Sequence, residues 1–220
     1  MIGFYNYTVI LTYLSVCSAF TSIYFAFCGN IKWAIVMLAI SGLCDMLDGP
    51  VARSKKNRTD SERRYGIQID SLADAISFGV TPACILFNSA VYLAGEGNEW
   101  LSIPAALIGA VLVLCAITRL AFFNVSEEER QAVDGNKLRD SYRGLPVTNV
   151  SLIFPIISLV SYFVSDTVFV IVLMVTTALT AFFFVLDFKM FKLHGKKLAL
   201  IGLIGFVALI GVFFAPLKGF

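Results

Sequence analysis

Four aspartates in two strongly apolar segments are the residues of this chain whose types and spacing could do chemistry. Asp45 and Asp48 lie in C-D-M-L-D-G-P-V-A-R, and Asp70 and Asp74 lie in Y-G-I-Q-I-D-S-L-A-D. Residues three or four positions apart project from the same face of an α-helix, so each segment predicts one pair of carboxylates. An ionised aspartate at the centre of a membrane helix costs roughly 2.5 to 3.5 kcal/mol, and four together repel one another. We therefore expect positive charge among them.

Divalent cations are the expected source of that charge. Carboxylate oxygens are the ligands that hard cations prefer, which favours Mg²⁺ or Mn²⁺. Two such ions held by a few carboxylates form the usual clamp for a displacement at a pyrophosphate, so the expected cofactor is two Mg²⁺ or Mn²⁺ ions. An ion or proton pathway is the alternative, since buried acids also mark transporters.

The elements that must position these acids are two antiparallel helices joined by a polar loop. The polar stretch 53–65 predicts that loop. At a rise of 1.5 Å per residue, Asp48 and Asp70 lie about 6 to 7 Å below its ends, and Asp45 and Asp74 lie about 12 Å below them. Because the pairs match in depth, the four carboxylates are expected to form one site.

The composition predicts a membrane protein. Of the 220 residues, 58% are hydrophobic and 15% are charged, whereas soluble domains average roughly 45 to 50% and about 25%. A chain of this length has room for six or seven spans of about 20 residues each. We expect one integral membrane catalytic domain over 1–220, with an all-α polytopic fold and no nucleic-acid partner.

Apolar stretches separated by polar turns predict the individual helices. They run approximately over 5–28, 31–53, 66–92, 101–123, 147–164, 166–186 and 199–214. Pro50 and Pro82 predict bends in the second and third helices. The polar segment 124–144 is expected to include a surface helix.

The distribution of Lys and Arg between the loops predicts the orientation. If the N-terminus is inside, the basic residues of the loops fall on the cytosolic side except Lys32 and Lys218. Cytoplasmic loops of membrane proteins carry this excess of positive charge. We expect an integral plasma membrane protein whose N-terminus and carboxylate site face the cytoplasm.

The acidic segments also carry small and basic residues at fixed positions. In order, the pattern is Asp45-x-x-Asp48-Gly49-x-x-Ala52-Arg53 and then Gly66-x-x-x-Asp70-x-x-x-Asp74. It resembles the signature of the CDP-alcohol phosphotransferases, integral membrane enzymes that join a CDP-linked lipid to a small alcohol. All eight defining residues are present, although the gap from Arg53 to Gly66 holds twelve residues and is longer than in the family pattern. The resemblance implies a six-helix catalytic core, here with a seventh C-terminal transmembrane helix, and a homodimer.

The resemblance also implies roles for the signature residues. Asp45, Asp48, Asp70 and Asp74 would bind metal, and Asp74 would in addition be the general base. The residues that it implies for CDP binding are Asp48, Gly49, Ala52, Arg53 and Gly66. Their types suit this role, since glycine lets a ligand approach the backbone closely and arginine contacts phosphate well.

Later stretches resemble the accessory motifs of membrane-embedded phosphatidylserine synthases. They are S-F-G-V-T-P-A after the last aspartate, R-L-A-F-F-N from Arg119 to Asn124, and G-L-P-V-T-N from Gly144. The match is partial, because a second basic residue is expected where Phe122 or Phe123 stands. Arg119, Asn124 and Arg143 are the expected contacts of the acceptor alcohol or the lipid phosphate. Arg119 could instead snorkel to the surface or pair with an aspartate.

The implied reaction joins CDP-diacylglycerol, or an ether-lipid analogue, to L-serine and releases CMP among membrane lipids. Glycerol phosphate and inositol phosphate stay open as acceptors, because the basic residues near Arg119 also suit a phosphate. A prenyltransferase is a further alternative, but it lacks the glycine, alanine and arginine positions of the signature.

Overall fold

The computed structural model describes residues 3–4, 7–55, 59–95, 97–134, 141–191, 205, 207–214 and 217. Within these ranges the α-helices with complete bounds are α1 (Ile10–Phe27), α2 (Ile31–Ser54), α3 (Asp60–Asp74), α4 (Thr81–Leu93), α5 (Ser102–Asp134), α6 (Val150–Ser158) and α7 (Asp166–Val185). Short 3-10 turns extend them at Tyr7–Val9, Glu99–Leu101, Val147–Asn149 and Leu159–Tyr162. A small antiparallel ribbon pairs β1 (Ser141–Arg143) with β2 (Lys189–Phe191).

Helices long and apolar enough to cross a membrane dominate the described part of the chain. They are Tyr7–Phe27, Ile31–Ala52, Asp60–Leu93, Glu99–Arg130 and Asp166–Val185. Val147–Tyr162 is a shorter apolar helix. The prediction of an all-α polytopic membrane protein is confirmed. Of the predicted seventh span, residues 205 and 207–214 are described and are helical, and the rest lies outside the described residues.

Connections alternate between the two ends of the bundle. At one end, the Tyr92 hydroxyl donates to the carbonyl of Phe27 at 2.9 Å, which joins the ends of α4 and α1. At the other end, the Gly144 amide donates to the carbonyl of Phe188 at 2.7 Å, where the ribbon begins. The acidic site lies toward this second end.

Small and hydroxyl residues hold α1 against α2. The buried face of α1 consists of residues three or four positions apart, namely Thr12, Ser15, Ala19, Ser22 and Ala26. Hydrogen bonds that cross to α2 include Ser22 Oγ to Ala34 O at 2.6 Å, Ser18 Oγ to Met37 O at 2.7 Å, and Ser15 Oγ with Ser41 Oγ at 2.8 Å. We call this series the hydroxyl ladder. Small residues let membrane helices approach closely, and such bonds add to their association, so the ladder fixes the register of α2.

Helix α3 begins earlier than the sequence interpretation placed it. The prediction that 53–65 is a loop is wrong from Asp60 onward, because a capping box starts the helix there. The Glu62 amide donates to Thr59 Oγ1 at 3.2 Å, and the Thr59 amide donates to Glu62 Oε2 at 3.0 Å. This reciprocal pair satisfies two backbone donors that a helix start leaves open. Gly66 therefore lies in the second turn of a helix rather than at its first residue.

A π-helical turn at Ala75–Val80 follows Asp74 directly. Pro82, for which the sequence predicts a bend, follows this turn directly and lies in the first turn of α4, where proline is tolerated. The Thr81 hydroxyl donates to the carbonyl of Ile76 at 3.0 Å across the turn. Single π-turns inside helices are frequent at functional sites, and this one lies immediately below the carboxylates.

Helix α5 continues well past the predicted end at Phe123, so that prediction is wrong. It runs to Asp134 because its last turns consist of good helix formers, and Arg130 forms an ion pair with Glu127 one turn earlier. The surface helix expected in 124–144 is therefore an extension of α5 over its first half.

Aromatic side chains fill part of the interior, and α2 and α6 cross each other very closely. Phe78, Phe154, Phe169 and Phe184 are buried. A Cβ atom at Gly42 of α2 would lie only 2.0 Å from Ser151 Oγ of α6. Glycine is needed at this crossing because any side chain would overlap the neighbouring helix.

Candidate active site

Helices α2 and α3 bring the four aspartates together. Asp45, Asp70 and Asp74 each offer a carboxylate oxygen, and these oxygens lie within 4.8 Å of one another. Across the interface, Asp45 is paired with Asp74 and Asp48 with Asp70. This is the pairing by depth that the helical rise predicts. All four side chains are half-buried.

The three clustered carboxylates suit a divalent cation. Oxygen ligands of Mg²⁺ lie at about 2.0 to 2.1 Å, so two ligands of one ion are at most roughly 4 Å apart. Oxygens within 4.8 Å of one another need only a small rotation to reach that spacing. The donor set is made of hard, anionic oxygens, which fits Mg²⁺ or Mn²⁺.

Asp48 differs from the other three in its surroundings. Thr12 of α1 donates its hydroxyl proton to Asp48 Oδ2 at 2.9 Å. The described carboxylates that cluster most tightly are those of Asp45, Asp70 and Asp74. Asp48 therefore lies at the edge of the cluster, between it and α1.

A cleft of about 120 Å³ opens beside Asp48 and Asp70. Its walls come from three helices and consist of Thr8, Val9, Thr12, Asp48, Gly49, Ala52, Gly66, Ile67 and Asp70. Gly49 and Ala52 share a face of α2, as Gly66 and Asp70 share a face of α3, because of the helical repeat. The small residues of the signature thus line one cavity next to the acids.

The sequence interpretation missed the contribution of the first helix. Thr8 and Thr12 line the cleft, although neither belongs to the signature. The available signal was the spacing of these two threonines, one helical turn apart in an apolar segment. Nearby, the Phe4 ring packs edge-on against Tyr65 with centroids 5.5 Å apart.

Arg119 is buried, with 7% of its surface exposed, so it does not snorkel to the surface. Its Nε donates to the carbonyl of Leu145 at 3.3 Å, and its guanidinium lies 5.8 Å from the centroid of the Phe123 ring. A Cβ at Gly144 would lie 3.4 Å from the same Nε. Arg119 therefore joins α5 to the segment that follows β1.

Asn124 lies one and a half turns further along α5 and reaches α3. Its Nδ2 donates to Ser71 Oγ at 2.8 Å, and Ser71 follows Asp70 in the chain. Arg143 ends β1, two residues before the Arg119 partner Leu145. The backbone of Arg53 lies in the last turn of α2. The side chains of Arg53 and Arg143 lie outside the description, and their roles stay predictions.

Comparison with known proteins identifies the family. The family described as CDP-alcohol phosphatidyltransferase matches residues 5–186. The chain belongs to this family. The match extends from the start of the first span to the end of α7, and it confirms the resemblance seen in the aspartate signature.

The names of several curated relatives of this CDP-alcohol phosphatidyltransferase include serine. The CDP-diacylglycerol–serine O-phosphatidyltransferase of Mycobacterium bovis is 37% identical over 120 residues, which are 54% of this chain and 37% of the relative. The archaetidylserine synthase of Methanothermobacter thermautotrophicus is 36% identical over 138 residues, 63% of this chain and 51% of the relative. The CDP-diacylglycerol–serine O-phosphatidyltransferase of Saccharomyces cerevisiae is 35% identical over 114 residues, which are 51% of this chain and 37% of the relative. The chain thus spans about a third to a half of the length of these relatives.

Proposed function

We propose that the chain is a phosphatidylserine synthase that transfers a phosphatidyl group from CDP-diacylglycerol to L-serine with a divalent metal. The observation that carries the proposal is the cluster of Asp45, Asp70 and Asp74 oxygens beside a cleft lined by the small residues of the family signature. The serine named in the relatives supports the choice of acceptor. An ether-lipid analogue of CDP-diacylglycerol is an equally suitable donor for this site.

In the proposed reaction, the serine hydroxyl oxygen forms a bond to the phosphorus that carries the diacylglycerol. The bond between that phosphorus and the CMP oxygen breaks, and CMP leaves with the electron pair. Two Mg²⁺ or Mn²⁺ ions, when bound by the four aspartates, would neutralise the pyrophosphate charge. Asp74 accepts the hydroxyl proton as general base, a role supported by its place as the last aspartate of the signature and by its position in the cluster.

The cleft is the proposed site of the CDP group. Gly49, Ala52 and Gly66 line the cleft beside Asp48. Because these residues are small, a nucleotide and its phosphates can approach the backbone. We assign Arg53 to a phosphate contact because it ends the same face of α2.

The corner formed by α5 and the segment after β1 is the proposed acceptor site. The buried Arg119 guanidinium is a suitable partner for the serine carboxylate or the lipid phosphate. The bond from Asn124 to Ser71 ties this corner to the helix that carries Asp70. Arg143 is included because β1 ends two residues before Leu145, which binds Arg119.

The proposed setting is the plasma membrane, with the N-terminus and the site on the cytoplasmic side. The alternation of the described helix ends supports this arrangement, and the basic loops give its direction. We also propose that the chain works as a homodimer, as the family resemblance implies.

A second acceptor class is favoured by one observation, the burial of Arg119. A buried guanidinium would also bind the phosphate of glycerol phosphate or inositol phosphate. The deciding experiment measures CMP release from CDP-diacylglycerol by the purified chain in the presence of Mn²⁺, with serine, glycerol phosphate or inositol phosphate in turn. We expect release with serine alone. Release with a phosphorylated acceptor would replace the proposal, and no release with any of the three would remove the transferase assignment.

A further inference from the structure

The hydroxyl ladder between α1 and α2 continues into the acidic site. Its lower rungs join Ser22, Ser18 and Ser15 to backbone carbonyls or to a hydroxyl of α2. The next hydroxyl along the same face of α1 is Thr12, which is 5% exposed, and its partner is the carboxylate of Asp48 at 2.9 Å. Among the described rungs, this is the one that ends on a residue of the signature.

Thr12 differs from four other threonines within the described helices, whereas Thr167, like Thr12, donates its hydroxyl to a distant segment, at the carbonyl of Ala94. The bonds from threonine hydroxyls to the carbonyl four residues earlier are Thr21 to Cys17, Thr118 to Leu114, Thr177 to Leu173 and Thr180 to Thr176. Such bonds to the same helix are the usual outcome for threonine in apolar surroundings. Thr12 instead donates to another helix, because a carboxylate is a stronger acceptor than a carbonyl.

We propose that Thr12 is a positioning residue for Asp48. By holding Oδ2, it fixes the rotation of the carboxylate, so that the group faces Asp70 and the cleft. Partners that orient the ligands of a metal typically change its affinity 10- to 100-fold when they are removed. The inference rests on the proposed function, since it assumes that Asp48 and Asp70 bind a divalent cation.

Other hydrogen bonds hold α1 in place, so a positioning role of Thr12 can be distinguished from a role in folding. The hydroxyl oxygens of Ser15 and Ser41 lie 2.8 Å apart, and Ser15 Oγ lies 3.5 Å from Ser77 Oγ in the π-helical turn that follows Asp74. These three buried hydroxyls connect α1 to α2 and to the π-helical turn without Thr12. Loss of the Thr12 hydroxyl is therefore expected to leave the helix register intact.

The test measures Mn²⁺ binding to the purified full chain in detergent by electron paramagnetic resonance. Thr12→Val keeps the shape and removes the hydroxyl, and we expect about tenfold weaker Mn²⁺ binding. Thr12→Ser keeps the hydroxyl and is expected to bind Mn²⁺ within about twofold of the wild type, since it retains the bond to Asp48. The thermal unfolding temperature in the presence of a chelator should be the same for all three proteins.

Ser22→Ala is the matched control. Ser22 is fully buried and donates to Ala34 at 2.6 Å between the same two helices, but far from the acids. We expect unchanged Mn²⁺ affinity for this variant. Equal losses in Thr12→Val and Ser22→Ala, or no loss in Thr12→Val, would overturn the inference.

Two further outcomes are distinguishable. If Thr12→Val does not fold, Thr12→Ala removes the hydroxyl without placing a methyl group against the carboxylate, and the same criterion applies to it. If the wild-type chain binds no Mn²⁺, the proposed metal site itself is wrong and the inference fails with it.

Discussion

Carboxylate oxygens of Asp45 in α2 and Asp74 in α3 lie within 4.8 Å of each other across the interface of two membrane helices. Two carboxylates at this separation repel each other when both are ionised, and Asp70 adds a third acid within 4.8 Å. The divalent cation that we propose for this site would remove the repulsion. Such a cation would also account for acids at this depth in apolar helices.

The first prediction concerns Asp74 as general base. Asp74→Asn removes the proton acceptor but leaves Asp45, Asp48 and Asp70 as ligands. We expect CDP-lipid binding to remain and turnover to fall by about 10²- to 10⁴-fold, the usual contribution of general base catalysis. CMP release under saturating serine measures turnover, and retention of labelled CDP-lipid on the purified protein measures binding.

The matched control for Asp74 is Asp60→Asn, which alters an exposed aspartate in the first turn of the same helix. Turnover of this variant should equal that of the wild type. Near-normal turnover in Asp74→Asn would show that another group takes the serine proton.

The second prediction assigns Arg119 to the acceptor. Arg119→Lys keeps the charge but loses the planar guanidinium that can hold a carboxylate with two bonds. A charge-assisted bond contributes about 1.5 to 3 kcal/mol, so the KM for serine should rise roughly 10- to 100-fold. The KM for CDP-diacylglycerol should stay constant.

Arg130→Lys is the control for Arg119, because Arg130 lies on the same helix and pairs with Glu127 away from the acids. It should leave both KM values unchanged. A rise in the KM for the CDP-lipid alone in Arg119→Lys would move Arg119 to the lipid phosphate, and no change in either KM would remove it from the site.

The positions of the four acids could be predicted because only helical geometry was needed. A rise of 1.5 Å per residue fixes the depth of Asp45 against Asp74 once both segments are helical. The start of α3 was readable too, since Thr59 and Glu62 have the spacing of a capping box. Because the apolar run begins only at Gly66, the sequence interpretation assigned the polar first turns of the helix to the loop.

Other parts of the site depend on contacts between distant segments. The bond from Thr12 to Asp48 spans 36 positions, and it exists only because the hydroxyl ladder fixes the register of α1 and α2. The bond from Asn124 to Ser71 spans 53 positions and depends on the crossing of α5 with α3. Neither register nor crossing can be read from the periodicity of one segment.

The third prediction tests the tight crossing of α2 and α6. A Cβ at Gly42 would lie 2.0 Å from Oγ and 2.4 Å from Cβ of Ser151, so Gly42→Ala forces the helices apart. Overpacking typically costs about 1 to 3 kcal/mol. We expect a lower thermal unfolding temperature in detergent, measured by circular dichroism.

The double variant Gly42→Ala, Ser151→Gly moves the missing side chain to the other helix and should recover most of the lost stability. Gly79→Ala is a second comparison, because its Cβ would meet Ala116 at an ordinary 3.4 Å. If Gly42→Ala unfolds at the wild-type temperature, α2 and α6 do not cross as closely as described.

The last prediction fixes the orientation in the membrane. The described end of the C-terminal helix lies beside the start of α2, since the Lys32 ammonium donates to the carbonyl of Phe213 at 3.4 Å and the Trp33 ring lies 5.4 Å from the Phe213 ring. The start of α2 is the end opposite to the acids, so a tag placed at Lys218 should be extracytoplasmic. In sealed inside-out vesicles, protease should cleave a site inserted in the 55–59 connection and leave the tag at Lys218 intact. Cleavage of both in the same vesicles would mean that the chain does not make the seventh crossing.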